Sequence, residues 1–348
     1  TLFDITEELS AGNADRTYDR IASTLAEPEF RPRALFDRFR IEVLATTDDP
    51  LDDLRAHERL AADPTFAGRV LPTFRPDADL DPEADGFAGR IERLLAATGR
   101  ATGFDGYLAA LSDRRAHFIE HGAVSADHGV LEPFTADLDP ADAERLFADA
   151  LAGRLDAAGA RLFRGHMLLQ MAGMSVDDGL VMTIHPGVRR NHHGPTFRTY
   201  GPDTGHDIPV RTEYTDNLRP LLQRYGMEKN LHLVLFAVDE TVYSREVAPL
   251  AGFYPSVYIG APWWFLDAPD ATLRFRAAVT ETAGFSRSSG FIDDTRAFLS
   301  IPARHDMARR LDAAFLARLV REGRVGLPTA RRIAVDLVDA QPREVFKL

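Results

Sequence analysis

LVMTIHPGVRRN, residues 180–191, is the stretch whose reading decides the fold. Its first five residues are apolar or β-branched with no charged residue among them, the pattern of a strand covered on both faces. The run stops at His185. A Pro-Gly turn follows, and then Arg189, Arg190 and Asn191. A doubly covered strand belongs to a parallel sheet wrapped in helices, and such sheets collect their chemistry where the strands end.

The same grammar recurs in both directions. Strands are predicted near RIEVLATT (40–47), RVLPTF (69–74), AVSAD (123–127), LHLVLFAV (231–238), PSVYIG (255–260) and GFIDD (290–294). Helical patterns separate them. PADAERLFADALAGRL starts on Pro140 with Asp139 at its N-cap side, and Met167, Met171 and Met174 form an apolar stripe that reads as core. Seven strand–helix units fit either an open doubly wound sheet or a barrel of about eight units. No GxGxxG or phosphate-binding glycine loop is present, which counts against the nucleotide-binding sheet. Polar residues stand at nearly every strand end: Asp48 and Asp49, Arg75 and Asp77, Asp127 and His128, His185 and Arg190, Asp239 and Glu240, Trp263 and Trp264, Asp293 and Asp294. One rim fed by so many strands is a barrel's carboxyl face. The fold class expected is therefore α/β, a (β/α)8 TIM barrel. Residues 1–39 form a helical lead-in and residues 40–348 the barrel units with C-terminal helices.

Composition sets outer bounds. Net charge is −12 and no basic cluster appears, so a nucleic-acid partner is not expected. An anionic ligand must be held by a few local cations against an unfavourable overall field. Of the basic residues only Lys229 and Lys347 are lysines. No apolar run is long enough for a bilayer, so no membrane partner is expected. Cysteine is absent, which excludes disulfides and thiolate metal sites and is compatible with a cytoplasmic location.

Individual side chains carry chemistry with competing bland readings. Asp294 can ligate a metal or accept a proton, and Arg296 two residues on can grip a carboxylate, yet DDTR also reads as a helix N-cap. His185 is either an acid–base or ligand group or a hydrogen-bonded core histidine. HFIEH (117–121) matches a zinc-protease pattern, but Gly122 follows at once and reads as the end of the helix. Trp263 and Trp264 suit the wall of a small-molecule pocket, since indole rings stack on sugar C–H faces.

Taken in order, ATTDDPLDDL (45–54), VLPTFRPD (70–77), HG…SADH (121–128), HPGVRRN (185–191), WWF (263–265), DDTRAFLS (293–300) and RHDMARR (304–310) resemble the uronate (glucuronate) isomerases of the amidohydrolase superfamily. The resemblance implies a metal-assisted aldose–ketose isomerase of hexuronate catabolism. Its substrate pairs are D-glucuronate with D-fructuronate and D-galacturonate with D-tagaturonate. It implies that Asp294 is a metal ligand and proton acceptor, with His185 as a further ligand. Arg296 and Arg75 meet the substrate, Asp127 and His185 are catalytic, and Trp263 and Trp264 line the pocket. The cofactor implied is a divalent metal, zinc first, and the partner a small uronic acid; a homo-oligomer is compatible.

One departure is large. The family's first strand carries a His-x-His metal pair followed by a His-Tyr pair, and neither is in this sequence. Together with a start at Thr1, inside what reads as a helix, this leads us to expect a barrel without its first strand and N-terminal helical region. Such a chain is expected to be nearly inactive alone. The competing expectations are a metal-dependent hydrolase or lactonase on the same barrel, and a non-catalytic fragment that folds with an N-terminal partner.

Overall fold

The computed structural model describes residues 2–295 and 297–348. Its strands are β1 (Val43–Ala45), β2 (Arg69–Leu71), β3 (Ser125–His128), β4 (Val181–Ile184), β5 (Val188–Arg189), β6 (Ile208–Pro209), β7 (Leu233–Leu235) and β8 (Val257–Ile259). β1 pairs with β2, and β3, β4, β7 and β8 form a four-stranded sheet, every pairing parallel. Parallel bridges of Asp48 to Phe74 and Phe74 to Ala126 join the two pieces, and a bridge of Ile259 to Ser288 adds a seventh segment. The seven segments lie in chain order, as parallel units with crossovers between them require. Among the described residues no strand pairs with the outer side of β1 or of Ser288, so the arc is open there.

The last segment is displaced from its expected place. Residues 290–294 form no strand; pairing occurs at Ser288 and Ser289, whose N–H donates to the Ile259 carbonyl at 2.8 Å. Gly290 sits at φ 78°, a left-handed conformation that turns the backbone out of the extended form. The start of the chain differs as well. No helix occurs in residues 2–13; the first runs Ala14–Leu25. The side chain of Asn13 is drawn away from helix capping, accepting from Ser10 N–H at 2.8 Å and donating to the Glu8 carbonyl at 2.9 Å.

Pleating divides the sheet into two faces. Met182, Ile184, Leu233, Leu235, Val257 and Ile259 belong to the main core with Leu168, Met171, Val247 and Phe275. Val181, Val234, Phe236 and Tyr258 turn the other way and close on Val345 from the C-terminal helix Ala340–Phe346. The inner face is thus filled by a residue far along the chain. Each fully buried side chain of this size contributes roughly 1.5–3 kcal/mol. Helix Pro140–Leu151 begins as the sequence suggests, with Asp139 accepting from Asp142 N–H at 2.9 Å. In helix Ala157–Asp178, Met167 and Met171 are fully buried, and Gly179 ends it at φ 82°.

Helix Phe104–Glu120 settles the HFIEH motif. His121 is its C-cap; its Nδ1 lies 2.7 Å from the His117 carbonyl and its Nε2 2.9 Å from Glu58. Both ring nitrogens are therefore engaged in ending the helix and tying it to Glu58. Among the described residues no group of three or more His, Cys, Asp or Glu side chains is arranged to hold a metal ion, and no helix is long and apolar enough to cross a membrane.

Candidate active site

The site grows from the parallel register of β3 and β4, which sets Asp127 opposite Thr183. Thr183 donates from its hydroxyl to Asp127 Oδ1 at 2.5 Å, and His185 Nε2 meets Asp127 Oδ2 at 2.9 Å. Arg75, just beyond β2, brings its Nε to 3.7 Å from the same Asp127 oxygen. Burial opposes ionisation of Asp127, but His185, Arg75 and the Thr183 hydroxyl outweigh it. Its carboxyl is held well below the usual carboxylate range. Asp127 is a fixed anion at any ordinary pH.

A second half of the site comes from the loops after β8 and after Ser288. The Trp263 ring lies 4.9 Å from His185, edge to face, and its indole N–H donates to Asp294 Oδ2 at 2.8 Å. Trp264 packs 5.4 Å from Trp263, and the Arg190 guanidinium sits 5.1 Å over the Trp264 ring. Trp264 and Asp294 both have left-handed backbones, at φ 49° and 50°. A bulky residue in that region is costly, by about 1–3 kcal/mol, and persists only where the surroundings impose it.

The predicted residues Arg75, Asp127, His185, Trp263, Trp264 and Asp294 thus come together in one run of contacts at the carboxyl ends of the strands. Asp294 lies close enough to act on Arg75. Against the desolvation of the guanidinium, Asp77, Asp127 and Asp294 together keep its pKa raised. Arg296 lies outside the described residues.

Other strand-end groups go elsewhere. His128 is fully buried on the opposite side of β3 from Asp127, its Nδ1 3.0 Å from the Thr183 carbonyl, and burial lowers its pKa to about 4. Asp239 accepts from Thr241 within its own turn and from Thr212 N–H in the loop after β6, and Glu240 pairs with Arg274 at 2.5 Å. Asp48 ties the loops after β1 and β2, accepting from Thr46 and from Thr73 N–H. Neither Asp293 nor Thr295 caps a helix. Asp293 is buried and accepts from Thr295 and from Arg304, whose guanidinium also bonds Asp267 at 2.6 Å. The adjacent acids divide the work: Asp293 anchors the loop and Asp294 meets Trp263.

Three contributors carried no predicted role. Thr183 fixes Asp127. Asp77 accepts from Arg75 Nε at 2.8 Å and from Gly129 N–H at 3.0 Å. Arg304 holds the Asp293 loop. Asp77 had a sequence signal in its place two residues after Arg75 at a strand end, and Arg304 opens the RHDMARR stretch; Thr183 had none.

Parallel strands in chain order, with an acid, an imidazole and an arginine at their carboxyl ends, are the arrangement of a (β/α)-barrel enzyme. Comparison with known proteins makes this specific. The family model described as glucuronate isomerase matches residues 1–346, and the chain belongs to that family. Curated uronate isomerases are similar to it. The one from Corynebacterium efficiens is 55% identical over 344 residues, which is 98% of this chain and 73% of that protein. The one from Cutibacterium acnes is 54% identical over 348 residues, 100% of this chain and 74% of that protein. The crystal structure of glucuronate isomerase from Caulobacter crescentus superposes with a TM-score of 0.95 at 50% identity, covering 100% of this chain and 72% of that one.

Proposed function

We propose that this site interconverts aldose and ketose hexuronic acids, D-glucuronate with D-fructuronate and D-galacturonate with D-tagaturonate. The observation that supports the reading best is the run of neighbours Arg75, Asp127, His185, Trp263 and Asp294, contributed by five different strand ends. It furnishes what the chemistry needs: a cation for the sugar acid, a ring-opening base, an oriented imidazole and an aromatic wall.

Aldose–ketose exchange needs the sugar ring opened and a proton moved between C2 and C1, with stabilisation of the developing oxyanion. Asp294 has one oxygen pinned by the Trp263 indole and offers the other to a sugar hydroxyl for ring opening. Asp127 stays ionised and holds the His185 ring toward Trp263, where it serves as the acid–base group. Arg75 and Arg296 are assigned to the anionic substrate, the latter on the family resemblance alone.

A divalent ion, zinc first, is implied by the family, and its chemistry would be polarisation of a substrate oxygen. The donors described here do not by themselves make its site. His185 Nε2 is engaged by Asp127, Asp294 Oδ2 by Trp263, and no three-ligand group occurs among the described residues. Two partly engaged donors bind such an ion weakly.

Incubation with D-glucuronate, with ketose formation as the readout, tests the reading; hydrolysis of sugar lactones without ketose formation would replace it with the hydrolase alternative. Deuterium from solvent at C1 or C2 of the product marks proton transfer, and its absence hydride transfer. Metal analysis, cell fractionation and light scattering test the expectations of zinc, a cytoplasmic location and self-association.

A further inference from the structure

We propose that Asp77 and Gly129 are positioning residues that together aim Arg75 at the carboxylate of the uronic acid. The identity of that ligand rests on the isomerase reading; the positioning itself rests on geometry.

Arg75 Nε is committed to Asp77 Oδ2 at 2.8 Å, while Asp77 Oδ1 is committed to the Gly129 N–H at 3.0 Å. The carboxylate therefore links the end of β2 to the end of β3 and fixes the plane of the guanidinium. Among the described residues nothing accepts a hydrogen bond from the two terminal nitrogens of Arg75, so this fork is left for a ligand. Gly129 supplies the room. A Cβ there would stand 2.7 Å from Arg75 Nη2, 2.7 Å from His185 Cε1 and 2.8 Å from Asp77 Oδ2. Its backbone is not left-handed, so the requirement for glycine is steric and comes from these three side chains. Asp127 and Thr183 hold His185 in place, which leaves Arg75 as the group that must yield to a larger residue. Desolvation raises the pKa of Asp77, with Asp127 adding to it against Arg75.

Two substitutions in the full chain test this, Gly129→Ala and Asp77→Asn. Asn can accept from only one of the two N–H groups and turns its own N–H toward the other. The readouts are the calorimetric Kd for D-glucuronate and the NMR cross-peak of the Arg75 Nε–H, assigned with Arg75→Lys. Both variants are expected to weaken binding by at least about tenfold and to move that cross-peak, with the thermal midpoint of Gly129→Ala close to wild type. Binding within about twofold of wild type in Gly129→Ala overturns the proposal. So does weakened binding with an unmoved Arg75 signal, which marks a general structural role. If Asp77→Asn does not fold, Gly129→Ala decides alone, since it retains every hydrogen-bonding group. If the wild-type chain binds no uronate, the isomerase reading fails, and the Arg75 signal in Gly129→Ala still upholds or overturns the positioning.

Discussion

Asp127, within β3, and Asp79, on the short helix Asp77–Leu80 that follows β2, are both shielded carboxylates with an arginine nearby. Their acidities are opposite. Asp127, with 18% of its side chain exposed, accepts from Thr183 on one oxygen and meets His185 on the other; its pKa is held far down. Asp79 has no exposed surface. It receives Arg90 on one oxygen at 2.7 Å, and its other oxygen has no partner. Burial wins there, and its pKa is pushed up to about 6 despite Arg90. The contrast shows that Arg90 on one oxygen does not offset burial at Asp79, whereas His185 and Arg75 together with the Thr183 hydroxyl do so at Asp127.

The comparison can be broken at its strong end first. Asp127→Asn leaves His185 and Arg75 without their shared anion, and turnover is expected to fall by about 10²–10⁴-fold, read by steady-state kinetics. A drop under about tenfold would mean that the dyad does not serve the chemistry. Next comes the loop that presents Asp294. Arg304→Ala leaves the buried Asp293 uncompensated and is expected to cost roughly 2–4 kcal/mol in denaturant unfolding.

Asp79 sharpens the contrast through pH. Its folded pKa lies above the unfolded value, so the folded state binds the extra proton and stability falls as pH rises from about 4 through about 6. Asp79→Asn mimics the protonated form. It is expected to gain about 1–3 kcal/mol at neutral pH and to flatten that slope, seen in unfolding curves across the range. Asp127 has the reverse sign: its folded pKa is depressed, so its contribution is complete above the unfolded value near 4 and is lost only as pH falls below it. The smallest effect is expected for Trp263→Phe. It removes the N–H to Asp294 but keeps an aromatic wall, and about a tenfold loss in kcat/KM, or 1.4 kcal/mol, is expected with little change in Tm.

The fold was legible where physics is local. Doubly covered strands appear as apolar runs, so seven parallel segments could be placed in order, and His185, Asp127 and Arg75 could be picked out at their ends. Features that depend on contacts distant in sequence could not be placed. GFIDD carries strand-like residues, yet Gly290 turns the chain and pairing falls back to Ser288. Two-residue strands such as β5 and β6 have no period to detect. The rim looked richer in sequence than in space, because His128, Asp239 and Glu240 stand at strand ends but point to other partners. Nothing local marks Gly129, since its value comes from Arg75 and His185, far away in the chain.

Val345 packs against Val181 and Val234, and Arg343 reaches Glu42 across 301 positions. The face of the sheet lined by Val181 and Val234 is therefore closed only when Val345, far along the chain, is in place. Until the helix that carries it docks, those side chains are left uncovered, and assembly depends on loop closure over long sequence separations. Slow refolding is the expected consequence, read by refolding kinetics.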